Sequence, residues 1–268
     1  MTPALAAGAR LASTRVETVD GTRVVDLRDV NWVDPVHLVA VAAEAHAARR
    51  DGLGFRLHAP AARDRARYAS RMRLGEIVDS LGGTHDLPPV QASDRTGELV
   101  EVAALAAPRD VRTLAELVAE RVAALDRDLA QALHQGLSEI GQNVCDHARS
   151  IGFVAAQTIP RRGELRFAVA DPGVGLLTTL RAQGAADDRN AIDLALHGVS
   201  SRNRRGTGLP STVGAVTRLD GYLYLASGAA ATFITASRRT NSSGAAFGGT
   251  IVEGRVPTGG LVRRLEPA

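Results

Sequence analysis

The segment from Pro108 to Ala148 constrains the fold more than any other part of the chain, because its apolar residues recur at helical spacing with little interruption. Leu114, Leu117, Val118, Val122 and Leu125 make one stripe, and Leu129, Leu133, Leu137, Ile140 and Val144 make a second. The second stripe carries an unusual shoulder. At ~100° per residue, Glu139, Asn143 and Asp146 share a sector of ~60° whose middle lies ~110° from the apolar residues, with His147 between the two. A helix built this way packs on a sheet with one face and lines a polar cavity with its flank. Gly136, about one turn earlier on a similar azimuth, is expected to leave room for a ligand. Taken alone, the same flank suits an ordinary solvated helix, so residues further along must decide between the two.

Composition narrows the classes. Aromatic residues supply only 3% of the 268 residues while hydrophobic ones supply 45%, so the core must be built mainly from Ala, Val and Leu. The basic residues are all arginine, which together with heavy alanine use points to a GC-rich bacterial genome. A net charge of +3 is far from the clustered basic face of a dedicated nucleic-acid binder, and scarce aromatics argue against a base-stacking platform. Cys145 is the single cysteine, which excludes an intrachain disulfide and a cysteine zinc cluster. No run of about 18 apolar residues occurs, and the N-terminal stretch lacks the pattern of a secretory leader. A cytoplasmic protein with no membrane partner is expected.

The first half opens as a strand-helix-strand unit. Val24, Val25 and Leu27 suggest a short strand, Asp34-Pro35 a helix start, Val36 to Arg50 an alanine-rich helix, and Phe55 to His58 the next strand. Tyr68, Met72, Ile77 and Leu81 then follow at broadly helical spacing, ending at the Gly82-Gly83 pair. A stretch rich in Pro, Ser, Asp and Gly reads as a connection, which places a boundary near residues 92–108 between domains spanning 10–95 and 108–258.

The second half supplies the remaining chemistry. Leu165, Phe167 and Val169 alternate with Arg166, Ala168 and Ala170 in a strand that Asp171 closes, with Gly173 and Gly175 after it. A carboxylate at a strand end can accept from an exocyclic amine, and glycines beside it let backbone approach a flat ring. Gly206 and Gly208 stand immediately before a helical segment from Leu209 to Val216, where backbone N–H groups and the positive dipole end suit phosphate oxygens. Thr250 opens a last strand, and the stretch from Thr240 to Gly249 reads as a loop.

Taken in order, Glu-x-x-x-Asn-x-x-Asp on a helix, Asp-x-Gly-x-Gly after a strand, Gly-x-Gly-Leu at a helix start and Gly-Thr before a last strand resemble the GHKL superfamily of ATP-binding domains, named for DNA gyrase, the Hsp-type chaperone, histidine kinases and MutL. The resemblance covers roughly residues 110–258 and implies an α+β fold, an α/β sandwich with helices packed on one face of a mixed sheet. It implies ATP and Mg²⁺ as ligands. By it, Glu139 is the general base and Asn143 the Mg²⁺ ligand, while Asp171 accepts from the adenine amine. Gly173 and Gly175 lie beside the ring. Arg205, Gly206, Gly208 and Leu209 form the phosphate-facing turn, and Thr250 supports the adenine end. Asp146 matches gyrase and MutL relatives, whereas His147 resembles the histidine of anti-sigma serine kinases. A sensor histidine kinase is disfavoured, since neither a phosphoacceptor hairpin nor a membrane sensor is found and His134, His37 and His46 read as ordinary helix histidines.

The first half resembles a STAS domain, the fold of anti-anti-sigma factors, but its turn reads Asp34-Pro35-Val36-His37 and lacks the phosphoacceptor hydroxyl. The two resemblances together imply a kinase-like or ATPase component of bacterial signalling, acting on a protein partner of the sigma-factor or anti-sigma-antagonist type. The alternative is a non-catalytic, nucleotide-gated interaction module. A third reading, a basic adaptor using Ser201 to Arg205 on nucleic acid, ranks below both. Whether phosphate passes to water or to a protein, and whether the chain forms a homodimer, stays open.

Overall fold

The structure, a computed structural model, describes residues 11, 13–90, 99–147, 150–200 and 206–258, with all their side chains except those of Leu99, Pro108, His147 and Ala245. Strands β1 (Arg15–Val19) and β2 (Thr22–Asp26) form a hairpin across Asp20 and Gly21, whose φ angles of 47° and 72° are those a tight primed turn requires. Helix α1 (Pro35–Arg50) crosses to β3 (Gly54–His58), parallel to β2, and β4 (Thr84–His85) continues the parallel pairing. The strand-helix-strand unit thus forms where the sequence places it. The helical stretch after it is broken into α2 (Arg63–Arg71) and α3 (Leu74–Ser80), because Arg73 between them adopts a left-handed backbone at φ 62°.

The second sheet runs in the order β5 (Leu99–Leu105), β6 (Gly152–Ile159), β7 (Glu164–Asp171), β9 (Arg239–Pro257), β8 (Tyr222–Thr235). All its pairings are antiparallel; the mixed pairing expected of it belongs instead to the first sheet. Strand β5 falls inside the stretch read as a boundary, and residues 240–249, read as a loop, are part of β9. Among the described residues, five further helices accompany this sheet: α4 (Arg112–Ala123), α5 (Arg127–His147), α6 (Gly175–Leu180), α7 (Asp188–Leu196) and α8 (Gly208–Arg218). The two apolar stripes of the sequence are α4 and α5, save that Leu125 lies in the turn between them and is 45% exposed. The chain is a mixed α+β protein.

Strand alternation divides the second sheet into two buried faces. Leu165, Phe167, Val169, Val154 and Val252 share one cluster with Leu114, Val118, Leu133, Leu137 and Val216 of α4, α5 and α8. Their strand neighbours Phe153, Ala155, Ala168, Ala170 and Ile251 point the other way and join a cluster with α1 and the first sheet. Helices therefore cover both faces of this sheet, not one. Alanine makes the second packing feasible: Ala40, Ala42, Ala43, Ala45 and Ala48 of α1 are all fully buried, and small side chains on both surfaces bring helix and sheet close. A helix enclosed on nearly every side needs no polar face, which is why α1 shows none.

Charge seals the same junction. The Asp34 carboxylate accepts from Arg166 at 2.7 Å and from the Trp32 indole, Arg166 also donates to Glu164 at 2.7 Å, and Arg162 stacks over Trp32 at 4.6 Å. Asp34, Glu164 and Arg166 are all buried.

The β8–β9 hairpin doubles back. Tyr222 and Phe233 lie eleven residues apart on one strand, yet their ring centroids are 4.8 Å apart, where an extended run of that length would span roughly 36 Å. The fold occurs at Gly228, at φ 58° in the bulged part of the ladder, where the Asp188 carboxylate accepts from the neighbouring Ala229 N–H at 2.8 Å. Among the described residues no helix is long and apolar enough to cross a membrane.

Candidate functional site

One cavity of about 110 Å³ opens between α5, the end of β7, α6, the segment after α7 and the start of α8. Asn143, Asp171, Gly175, Gly206, Gly208, Leu209 and Thr250 all line it. Residues drawn from four separate motifs are thereby brought to one place. Ile140, Val144, Leu176, Leu180 and Val199 complete an apolar wall suited to a flat, weakly polar group.

Asp171 is the electrostatic centre. It continues the alternation of Leu165, Phe167 and Val169 and so faces the helix side, at the point where β7 ends. It is only 5% exposed, and burial pushes its carboxyl up to about 6, the N–H groups of Gly173 and Thr250 pulling the other way. Gly173 donates to Asp171 Oδ1 at 2.9 Å. That glycine therefore holds the carboxylate from behind and is not part of the cavity wall. Gly175, at φ 71°, starts α6 in a conformation that L side chains rarely adopt.

Three residues that the sequence did not single out hold this corner. The Ser227 hydroxyl accepts from the Leu176 N–H at 2.9 Å and donates to the Gly249 carbonyl at 2.9 Å, tying α6 to β9. Gly249 passes so close that a Cβ there would stand 1.8 Å from the Asp171 carbonyl oxygen and 2.6 Å from the Gly173 nitrogen. Arg50, at the end of α1, donates to the Pro172 carbonyl at 2.6 Å. Only the Gly-Thr pair gave any hint of Gly249; Ser227 and Arg50 sit in unremarkable local sequence.

The α5 flank differs from its helical-wheel picture. Among the described side chains of this flank, Asn143 is the one that lines the cavity. Glu139 turns to α8, where its carboxylate accepts from the Thr207 N–H at 3.0 Å and from the Thr207 hydroxyl. Asp146 accepts from Gln142 at 2.7 Å, a bond along the helix one turn away. The space expected at Gly136 is filled by α8: a Cβ there would lie 2.2 Å from Thr212 Oγ1 and 2.9 Å from the Gly208 carbonyl oxygen. That close crossing brings Thr207 within reach of Glu139, so the missing side chain serves helix packing. Arg205 and the rest of the 201–205 run lie outside the described residues, as does the His147 side chain. On either side of that run, the Gly206 N–H bonds the Gly198 carbonyl at 2.9 Å, and both glycines border the cavity.

The start of α8 aims its positive dipole end along the same wall. The cavity wall thus combines a buried carboxylate acceptor, an apolar surface, a side-chain amide and a helix N-terminus. No cluster of three or more His, Cys, Asp or Glu side chains able to hold a metal occurs among the described residues. A divalent cation here would have Asn143 as a protein ligand and would need oxygens from a bound molecule to complete its shell. No family model and no curated protein matches the chain.

Proposed function

We propose that the cavity binds ATP together with Mg²⁺, in the manner of a GHKL domain, and that the chain is a kinase-like or ATPase component of bacterial signalling with a protein partner of the sigma-factor or anti-sigma-antagonist type. The observation that carries this reading is the convergence of Asn143, Asp171, Gly175, Gly206, Gly208 and Thr250, far apart in sequence, on one cavity. Asp171 would accept the adenine amine, Gly175 and Thr250 would border the ring, and the α8 start would face the phosphates. Mg²⁺ would be held by the Asn143 amide oxygen and phosphate oxygens, where it offsets charge on the transferring group. In the first half, read as STAS-like, Asp34 would be the aspartate that opens the turn, here engaged by Arg166 at 2.7 Å, and Pro35 follows it where the phosphoacceptor hydroxyl is lacking.

Glu139 would orient the attacking hydroxyl or water once freed from Thr207. Its present engagement as the acceptor of that residue favours a second reading, the nucleotide-gated interaction module, in which binding rearranges α8 and hydrolysis is absent. Calorimetric titration of ATP with Mg²⁺ into the protein and into Asp171→Asn tests the shared core of both readings. Micromolar binding by the first and none by the second is expected; equal affinities would falsify the adenine assignment. Turnover with labelled ATP then separates the two readings.

A further inference from the structure

We infer that Arg50 is a positioning residue for the nucleotide site, through which the first half of the chain sets the orientation of Asp171; the inference rests on the ATP reading given above.

The geometry centres on a single peptide unit. The Pro172 carbonyl and the Gly173 N–H belong to the same planar group, which turns only as a rigid body. Its oxygen is held by Arg50 Nη1 at 2.6 Å and its N–H by Asp171 Oδ1 at 2.9 Å. Rotating the plane breaks both bonds together. Arg50 is therefore linked to the Asp171 carboxylate through one inflexible element. On the other side the Gly249 backbone lies too near for the turn to shift, since even a Cβ there would overlap the Asp171 carbonyl and the Gly173 nitrogen.

The anchor is itself fixed. Arg50 ends α1, whose alanine face lies on Ala168 and Ala170 of the strand leading to Asp171. One turn back, the His46 ring meets Phe153 edge-on at 6.2 Å and lies 3.3 Å from the Ser150 hydroxyl. Arg49, the adjacent residue, points elsewhere and donates to the Ser80 carbonyl at 3.2 Å. Two neighbouring arginines of equal charge thus have different partners, only one of them at the site.

The test is calorimetric titration of MgATP into wild type, Arg50→Ala, Arg50→Lys, Arg49→Ala and Asp171→Asn, with melting temperatures for each. Arg50→Ala should weaken binding roughly ten- to a hundredfold, the weight of one hydrogen bond to a charged group. Arg50→Lys should recover most of the loss, while Arg49→Ala should bind as wild type does. Emission from Trp32, the only tryptophan, should stay unchanged in Arg50→Ala, showing the two halves still docked. Wild-type affinity in Arg50→Ala, or equal losses in Arg49→Ala and Arg50→Ala, overturns the positioning role while leaving the ATP site standing. If wild type and Asp171→Asn bind alike, or neither binds, the ATP reading fails and this inference with it.

Discussion

Glu139 and Thr207 are joined across the α5–α8 crossing by two hydrogen bonds to one carboxylate, from the Thr207 backbone N–H at 3.0 Å and from its hydroxyl. Thr207 stands at the N-cap position of α8, but its own side chain makes no capping bond. In a capping box the helix's own third residue accepts from the cap's N–H; here a carboxylate from a different helix does so. The proposed base and the helix that would face phosphate are thus latched together.

Replacing Glu139 should accordingly have two effects. Glu139→Ala is expected to cost about 1 kcal/mol of stability through the lost cap and to abolish any ATP turnover while sparing nucleotide affinity. Thermal melts and single-turnover assays check both. Unchanged turnover in a folded Glu139→Ala protein would remove the residue from the chemistry and leave it a structural latch.

Asp171 should make the protein less stable at neutral pH than its amide variant. Its carboxyl is raised to about 6 from an ordinary 3.8, so the folded state binds the proton more tightly than the unfolded state. Stability from this group therefore grows as pH falls through 6 toward 4, and above 6 the cost of a buried charge is fully present. A shift of this size corresponds to roughly 3 kcal/mol. Asp171→Asn keeps an acceptor for the Gly173 N–H, so it should melt higher than wild type at pH 7.5, with the gap closing toward pH 4. A wild type that melts higher at pH 7.5 would contradict this.

Gly248 and Gly249 should respond oppositely to the same change. A Cβ at Gly249 meets backbone at 1.8 Å, whereas one at Gly248 finds open space. Gly249→Ala is expected to destabilise by about 3 kcal/mol or more and to impair the site, while Gly248→Ala should stay within about 0.5 kcal/mol of wild type. Urea titrations of both variants make the comparison.

At the junction, Arg166 should matter more than Asp34. Arg166→Met takes the shared guanidinium from two buried carboxylates, Asp34 and Glu164, the second of which keeps Arg255 at 3.2 Å, whereas Asp34→Asn leaves Arg166 still paired to Glu164. Removing one partner of a buried pair typically costs 3–5 kcal/mol; that range is expected for Arg166→Met and a smaller loss for Asp34→Asn. Equal losses in urea melts would mean that Glu164 does not share the charge.

Periodicity and punctuation made much of this legible. The α5 stripe, the β7 alternation and the glycines before α8 each state a local requirement; Asp171 could be named because it closes a strand, and Asn143 and Thr250 only through the family resemblance. What the sequence hid depends on partners distant along the chain. The β8 run Tyr222 to Ala226 is buried on both faces and shows no polar alternation to mark a strand. Gly136 looked like room for a ligand because nothing local says that Thr212 fills it. Glu139 and Asp146 share a flank with Asn143, yet their hydrogen bonds turn them to other partners, a choice the helical wheel does not encode.

Because α1 is enclosed by both sheets, the two halves share a core and neither has a finished surface of its own. Separation at residues 92–108 would strip Phe153, Ala155, Ala168, Ala170 and Ile251 from one part and the buried alanines of α1 from the other. The chain is therefore built to melt in a single cooperative transition, and each fragment expressed alone would be prone to self-association.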